Sequence, residues 1–175
     1  MKKLFLFPLA AVLAIVFFVA CNKNDTPTCT PFTVEQDRHV IDSFINANEF
    51  NSISYNSTNG VYSGILLPGS GSAPVGDSLV TFDVVTRLLN GVVIDSTRNP
   101  NATSAITIKL SDLNNANYAA VYEALSALKE GGLYRYIALS RTQAGCLGTN
   151  IGGKVVPPNA QIIYDYRLVD VSRAQ

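Results

Sequence analysis

Hydrophobic residues recur with two different periods along this chain, and the period changes near residue 60. Between residues 34 and 48 the apolar positions return every three to four residues, which predicts a short amphipathic helix. Thr33, followed three residues later by Gln36, matches the capping-box pattern that begins such helices. Beyond Asn59-Gly60, apolar and polar residues alternate in short runs separated by turn residues, a pattern typical of an antiparallel sheet.

Several runs of this alternating kind are predicted to form strands. In the last run, Tyr164 and Tyr166 alternate with Asp165 and Arg167, as expected for a sheet with one buried face. Asn90-Gly91 is the strongest short hairpin signal in the chain and separates two of the strands. The predicted strands cover residues 61–67, 79–89, 106–110, 133–139 and 162–171, with a return strand that begins at 92.

A helical segment interrupts these strands. Between residues 114 and 130, apolar side chains that include Tyr118 and Val121 return at helical spacing, and Gly131-Gly132 ends the pattern. We expect this segment to be the single central helix of the domain. The predicted fold class is therefore α+β, with one antiparallel sheet wrapped around one helix.

The N-terminus has the pattern of an export signal. Lys2 and Lys3 precede an apolar run over residues 4–19, which is followed by Ala20-Cys21. The stretch Phe18-Val19-Ala20-Cys21 resembles the bacterial lipobox, in which the cysteine is acylated and becomes a lipid anchor, although Phe18 replaces the usual Leu. This resemblance implies a domain tethered in the cell envelope, with Cys21 on the membrane. The alternatives are a plain signal peptide and an uncleaved anchor helix.

Composition then limits the classes of partner. Hydrophobic residues make up 47% of the 175 positions and charged residues only 15%, which excludes a disordered chain. Without residues 1–20 the basic residues fall from 13 to 11 against 13 acidic ones, a net charge of −2, so we expect no nucleic-acid binding. We divide the chain into a signal peptide (1–20), a flexible tether (21–33), a helical extension (34–59) and the sheet domain (60–175).

Two cysteines, Cys29 and Cys146, follow the candidate anchor Cys21. An envelope compartment permits a disulfide, and we expect Cys29 to pair with Cys146; two free thiols are the alternative. We expect no metal, because neither cysteine has a second ligand at metal-binding spacing and His39 is the only histidine. No cofactor is expected either, since the glycines of residues 68–72 have no phosphate-binding lysine or following helix.

From residue 60 to 171 the order of elements and five motifs resemble the FKBP-type peptidyl-prolyl cis/trans isomerases. The motifs are an opening turn at Gly69-Ser70-Gly71 with Pro74 and Gly76-Asp77, the hairpin Leu88-Leu89-Asn90-Gly91 with Ile94-Asp95-Ser96, the helix segment Glu123-Ala124-Leu125, its end at Lys129-Glu130-Gly131, and Val156-Pro157-Pro158-Asn159-Ala160 before the last strand. The resemblance implies an apolar pocket at the helix N-terminus that holds a prolyl ring.

Position by position, the resemblance assigns Asp95 to the pocket carboxylate beside the prolyl amide, and Tyr164 to an aromatic residue of the last strand. These two are the candidate catalytic residues. The candidate substrate-binding residues are Val84, Ile94, Ile106, Tyr118, Val121, Leu147 and Val156. Val121 stands where the family has a tryptophan, and this chain contains none. Because aromatic side chains supply large contact areas, their replacement predicts weakened isomerase activity.

Three classes of function remain at this stage. The first is an envelope prolyl isomerase acting on proline-containing polypeptides, expected to be a monomer. The second is a non-catalytic peptide-binding or chaperone module on the same fold. The third is a surface lipoprotein that binds a glycan or a protein and whose apolar positions are only core. Asp95 is a discriminating residue, because a carboxylate directly after Val92-Val93-Ile94 must be solvated, cap the next turn or face a site.

Overall fold

The computed structural model describes residues 29–98 and 105–173. The predicted signal peptide, the candidate lipid anchor Cys21 and most of the predicted tether lie outside these residues. In chain order the helices and strands are α1 (Val34–Ala47), β1 (Ser54–Asn56), β2 (Val61–Leu67), β3 (Ser78–Leu88), β4 (Val93–Ser96), β5 (Ile106–Lys109), α2 (Ala119–Ser126), β6 (Leu133–Ala138), β7 (Thr149–Ile151), β8 (Lys154–Val156) and β9 (Ile162–Arg173).

Seven of the strands form one antiparallel sheet in the order β1-β2-β6-β9-β3-β4, with β5 also paired to β3. Strand β9 lies at the centre, because it pairs along its length with β3 on one side and, through residues 162–167, with β6 on the other. The remaining two strands, β7 and β8, form a separate hairpin. The sheet and its helices confirm the predicted α+β class.

The sheet has a helix against each face. On one face, side chains of β3 and β9 such as Phe82 and Leu168 pack with Leu125 and Leu128 from α2 and the turn after it. On the other face, Tyr62, Ile137 and Ile163 of β2, β6 and β9 pack against Ile41 of α1. Alternate side chains of a strand point to opposite faces, so β9 supplies both layers of core.

Residues 34–59, predicted as an extension before the sheet domain, are packed into it. The capping box at Thr33 and Gln36 has both of its hydrogen bonds, and the helix covers residues 34–47 as predicted. Strand β1, which the sequence pattern did not predict, pairs with β2 at the edge of the sheet. The sequence pattern predicts a helix on one face only, because the apolar stripe of α1 gives no indication of what it packs against.

Helix α2 is shorter than the 17 residues suggested by the apolar spacing over 114–130, since it spans only eight residues, Ala119–Ser126. Its end is set by tertiary contacts: the backbone N–H of Lys129 donates to the carbonyl of Pro68 and that of Glu130 to the carbonyl of Ser72. Gly69, with φ of 79°, permits this close approach, because a Cβ there would lie 2.3 Å from the Lys129 carbonyl oxygen.

The chain enters the fold through a covalent link. Cys29 is joined to Cys146 by a disulfide across a sequence separation of 117 residues. Asn159 adds two hydrogen bonds to the same segment, accepting from the Phe32 N–H and donating to the Thr30 carbonyl. The last residues of the predicted tether are therefore held against the loop that follows β6. Within the described residues, no helix has the length and apolar character needed to cross a membrane.

Candidate functional site

An open cavity of about 470 Å³ lies between the sheet and the start of α2. Its walls come from strands β3, β4, β5 and β9, from the turn before α2, and from α2 itself. Most of its lining is aliphatic or aromatic, and it comprises Phe82, Val84, Thr86, Asp95, Ile106, Ile108, Leu113, Tyr118, Val121, Tyr164 and Tyr166. This is the size and character of a pocket for a small organic group with few polar contacts.

Asp95 is the one carboxylate among these lining residues. It is exposed at the end of β4, and its Oδ1 accepts a hydrogen bond of 2.8 Å from the backbone N–H of Ser96. It also pairs in register with Thr86 of β3. Asp95 therefore meets all three conditions expected of this carboxylate: it is solvated, it caps the turn after β4, and it faces the cavity.

Two stacked tyrosines form one wall of the cavity. The rings of Tyr164 and Tyr166 have centroids 6.5 Å apart and lie within 15° of parallel, and Tyr136 meets Tyr164 edge-on at 6.1 Å. The Tyr164 hydroxyl donates to Gln143 Oε1 at 2.9 Å, which joins the wall to the loop after β6. Burial raises the pKa of Tyr164 and of Tyr166, so both phenols stay neutral at physiological pH.

The mouth of the cavity is formed by Ile106 and Tyr118, which are 40% and 51% exposed. Tyr118 is the residue immediately before α2, and its backbone N–H donates to the carbonyl of Asn115 at 3.2 Å. The resemblance to the isomerases would have this N–H hold a substrate carbonyl. In this structure it has an intramolecular partner, which a substrate would have to displace.

The structure brings six of the nine predicted pocket residues to this cavity. These are Val84, Asp95, Ile106, Tyr118, Val121 and Tyr164.

The other three predicted residues lie elsewhere. Ile94 and Val156 are almost completely buried in a separate core cluster with Leu88 and Ile162. For Ile94 the cause is strand geometry, because neighbours on a strand face opposite ways and Asp95 takes the cavity side. Leu147 is 84% exposed in the loop after β6 and does not line the cavity.

Five lining residues were missed by the sequence analysis: Phe82, Thr86, Ile108, Leu113 and Tyr166. Four of them were detectable, because each lies two residues from a predicted pocket position on the same strand and therefore shares its face. Leu113 lies in a short turn over Leu110–Leu113 that has no such period.

The lining limits the chemistry available. It offers phenol and threonine hydroxyls and one carboxylate, but no thiol, amine or imidazole. His39 is exposed on α1. No group of three or more potential metal ligands occurs in residues 29–98 and 105–173. Such a cavity can enclose an apolar ring and orient a polar group at its mouth.

The sequence matches no protein-family model and no curated protein. Among solved structures, it is similar to a peptidyl-prolyl cis-trans isomerase from Pseudomonas syringae pv. tomato, with 20% identity, a TM-score of 0.48, and coverage of 82% of this chain and 99% of that one. It is also similar to FkpA from Escherichia coli, with 20% identity, a TM-score of 0.47, and coverage of 96% and 71%. A three-domain structure of wheat FKBP73 aligns with 21% identity, a TM-score of 0.46, and coverage of 69% and 48%. Of these three structures, one is thus a peptidyl-prolyl cis-trans isomerase and another consists of FKBP domains.

Proposed function

We propose that this protein binds proline-containing polypeptides in the cell envelope and catalyses the cis/trans isomerisation of their X-Pro bonds, with low activity. The observation that carries the proposal is the apolar cavity between the sheet and α2, with the Asp95 carboxylate at its edge. The resemblance of the sequence motifs to FKBP-type isomerases, which implies a prolyl pocket in the same region of the chain, supports this proposal. The candidate anchor Cys21 would hold the domain at a membrane as a monomer.

The proposed chemistry needs no nucleophile. Rotation about a peptide bond meets a barrier of roughly 18–20 kcal/mol, because conjugation between nitrogen and carbonyl is lost in the twisted state. A water-poor apolar cavity disfavours the polar planar amide more than the twisted one, and so lowers the barrier. In this proposal Tyr164, Tyr166 and Phe82 enclose the prolyl ring, and Asp95 faces the twisting amide.

Low activity is expected from the composition of the cavity. Val84 and Val121 provide less contact area than the aromatic residues of the isomerase pocket, so a prolyl ring would be held less firmly. The Tyr118 N–H, already bonded to Asn115, would have to exchange partners to hold the substrate. This second observation favours an alternative function, in which the cavity binds peptides without accelerating isomerisation.

The proposal is tested by the cis-to-trans rate of a short Ala-Leu-Pro-Phe peptide in the presence of the purified full-length protein. We expect a rate above background that falls in Asp95→Ala and in Tyr164→Ala. Asp170→Ala, an exposed carboxylate at the far end of β9, is the matched control and should keep the full rate.

Peptide binding, followed by fluorescence anisotropy of a labelled peptide, separates the two functions. Binding that weakens in the cavity variants without any acceleration would exclude catalysis and support the alternative. Absence of both binding and acceleration, in protein with a native circular dichroism spectrum, would exclude both functions.

A further inference from the structure

Exposed apolar side chains cluster around the β7–β8 hairpin and the start of β4. We define the hairpin patch as Val92, Val93, Leu147 and Val155. Leu147 and Val155 are 84% and 78% exposed. The cavity does not use any of the four, because none of them lines it.

Two contacts bring these residues together. The Lys154 ammonium donates to the Val93 carbonyl at 3.0 Å, which joins β8 to the start of β4. Gly148 lies so close to the Val156 carbonyl that a Cβ there would be 2.6 Å from its oxygen. Leu147 precedes Gly148 in the chain and Val155 precedes Val156, so these two residues lie on segments that are in contact.

Charged groups of both signs lie beside the hairpin patch. The Lys154 ammonium is hydrogen-bonded to the Val93 carbonyl, and a Cβ on Gly152, at the hairpin turn, would lie 3.2 Å from the Asp95 carboxyl carbon. Exposed apolar side chains beside a lysine can enter the headgroup boundary of a bilayer while the ammonium group meets lipid phosphates.

The N-terminal segment is covalently attached to the domain next to this patch. The disulfide fixes Cys29 to Cys146, the residue before Leu147. Eight peptide units separate Cys29 from Cys21, and they reach at most about 28 Å when fully extended. An acyl group on Cys21 would therefore keep Leu147 near the membrane surface, where high effective concentration allows even a weak contact to persist.

We propose that the hairpin patch is a membrane-docking surface, in which Leu147 and Val155 enter the headgroup region of a phospholipid bilayer while Lys154 contacts lipid phosphates. The inference rests on the lipid anchor included in the proposed function. Since Gln143, which bonds Tyr164 of the cavity wall, lies in the same loop, docking would hold the cavity close to the membrane surface.

The experiment uses the fact that the chain contains no tryptophan. Leu147→Trp and Val155→Trp each introduce a single tryptophan into the full-length protein, and Val75→Trp is the matched control. Val75 is also an exposed valine, at 69%, but it lies before β3, at the end of that strand away from β4. Each variant is placed on vesicles of phosphatidylethanolamine and phosphatidylglycerol, with or without brominated acyl chains.

We expect a blue shift on vesicle binding and loss of emission with brominated lipid at positions 147 and 155, but not at position 75. Adding Lys154→Glu to the Leu147→Trp variant should reduce the loss. Equal quenching at all three positions, or none at 147 and 155 in acylated protein, would overturn the inference. A blue shift without vesicles that grows with protein concentration would identify a second copy of the chain as the occupant and also overturn it.

Mass spectrometry of the same protein distinguishes failure of the anchor from failure of docking. If the protein lacks the mass of an acyl group, the lipid anchor is excluded, and with it the proposed location and the docking surface. An acyl mass with no quenching removes the docking surface alone. The peptide isomerisation rate is independent of both results.

Discussion

Asp37 is a completely buried carboxylate in a chain whose other acidic residues are mostly exposed. It lies in the first turns of α1, and its two oxygens accept hydrogen bonds from Ser140 Oγ at 3.0 Å and Gln161 Nε2 at 2.7 Å. Both donors are also buried. A single side chain therefore joins the N-terminal helix to the segments on either side of the β7–β8 hairpin.

We predict that Asp37→Ala lowers the free energy of unfolding by about 3 kcal/mol, because two buried donors lose their partner. Asp112→Ala, at an exposed position, should change it by less than about 0.5 kcal/mol. Urea denaturation followed by circular dichroism measures both. A loss for Asp37→Ala no greater than for the control would show that water replaces the carboxylate at no cost.

At the scale of elements, α1 is held to the sheet by its buried stripe. Ile41 has no exposed surface and packs with Ile53, Tyr62 and Ile137, whereas its neighbour Val40 is 36% exposed. A helix of 14 residues is marginal by itself, so packing rather than propensity must keep it folded. The energy of that packing is therefore concentrated in a few positions.

Ile41→Ala should lower the free energy of unfolding by about 2–4 kcal/mol, since it removes buried methylene groups and leaves a cavity. Val40→Ala is the matched control and should cost about 0.5 kcal/mol or less. Chemical denaturation gives both values, and hydrogen exchange of the α1 amides reports whether the helix itself loosens. Equal costs for the two variants would mean that α1 contributes little to the fold through this stripe.

The elements also show what a sequence pattern can and cannot predict. The first long strand, β2 at Val61–Leu67, and the start of α1 agree with the predictions. Both were predictable because an alternating period and a capping box involve only residues that are close together in the sequence. The end of α2 does not agree, because it depends on hydrogen bonds to residues 68–72 that are distant in sequence. The three-residue strands β1, β7 and β8 are too short to show a period.

The same distinction applies to the candidate site. The strand residues Val84, Ile106 and Tyr164 line the cavity because alternation fixes their face. Applied to β4, this rule would have separated Ile94 from Asp95. Val156 and Leu147 follow no such rule, since the loop after β6 has no period, and their positions depend on the disulfide and the β7–β8 hairpin.

At the scale of the whole molecule, the Cys29–Cys146 bond closes most of the domain into one covalent loop. Its sequence separation of 117 residues encloses α1, the strands β1 to β6 and α2. A cross-link of this span removes a large part of the conformational freedom of the unfolded chain. The bond also fixes the N-terminal segment to the loop that carries Gln143 and Leu147.

Replacing both residues, as Cys29→Ser with Cys146→Ser, should lower the free energy of unfolding by about 5 kcal/mol, as chain entropy predicts for a loop of this length. The fold should persist, because Asn159 and the Asp37 contacts still hold the N-terminal segment and α1 in place. Denaturation of the oxidised protein and of the double variant gives the difference, and hydrogen exchange locates the loosened amides. We expect exchange to accelerate more at residues 30–33 and 143–148 than at β3 and β9, whose core amides should accelerate only by the loss of global stability. Protection at residues 30–33 and 143–148 that is unchanged by the replacement would show that the bond acts on global stability alone, without anchoring the N-terminal segment.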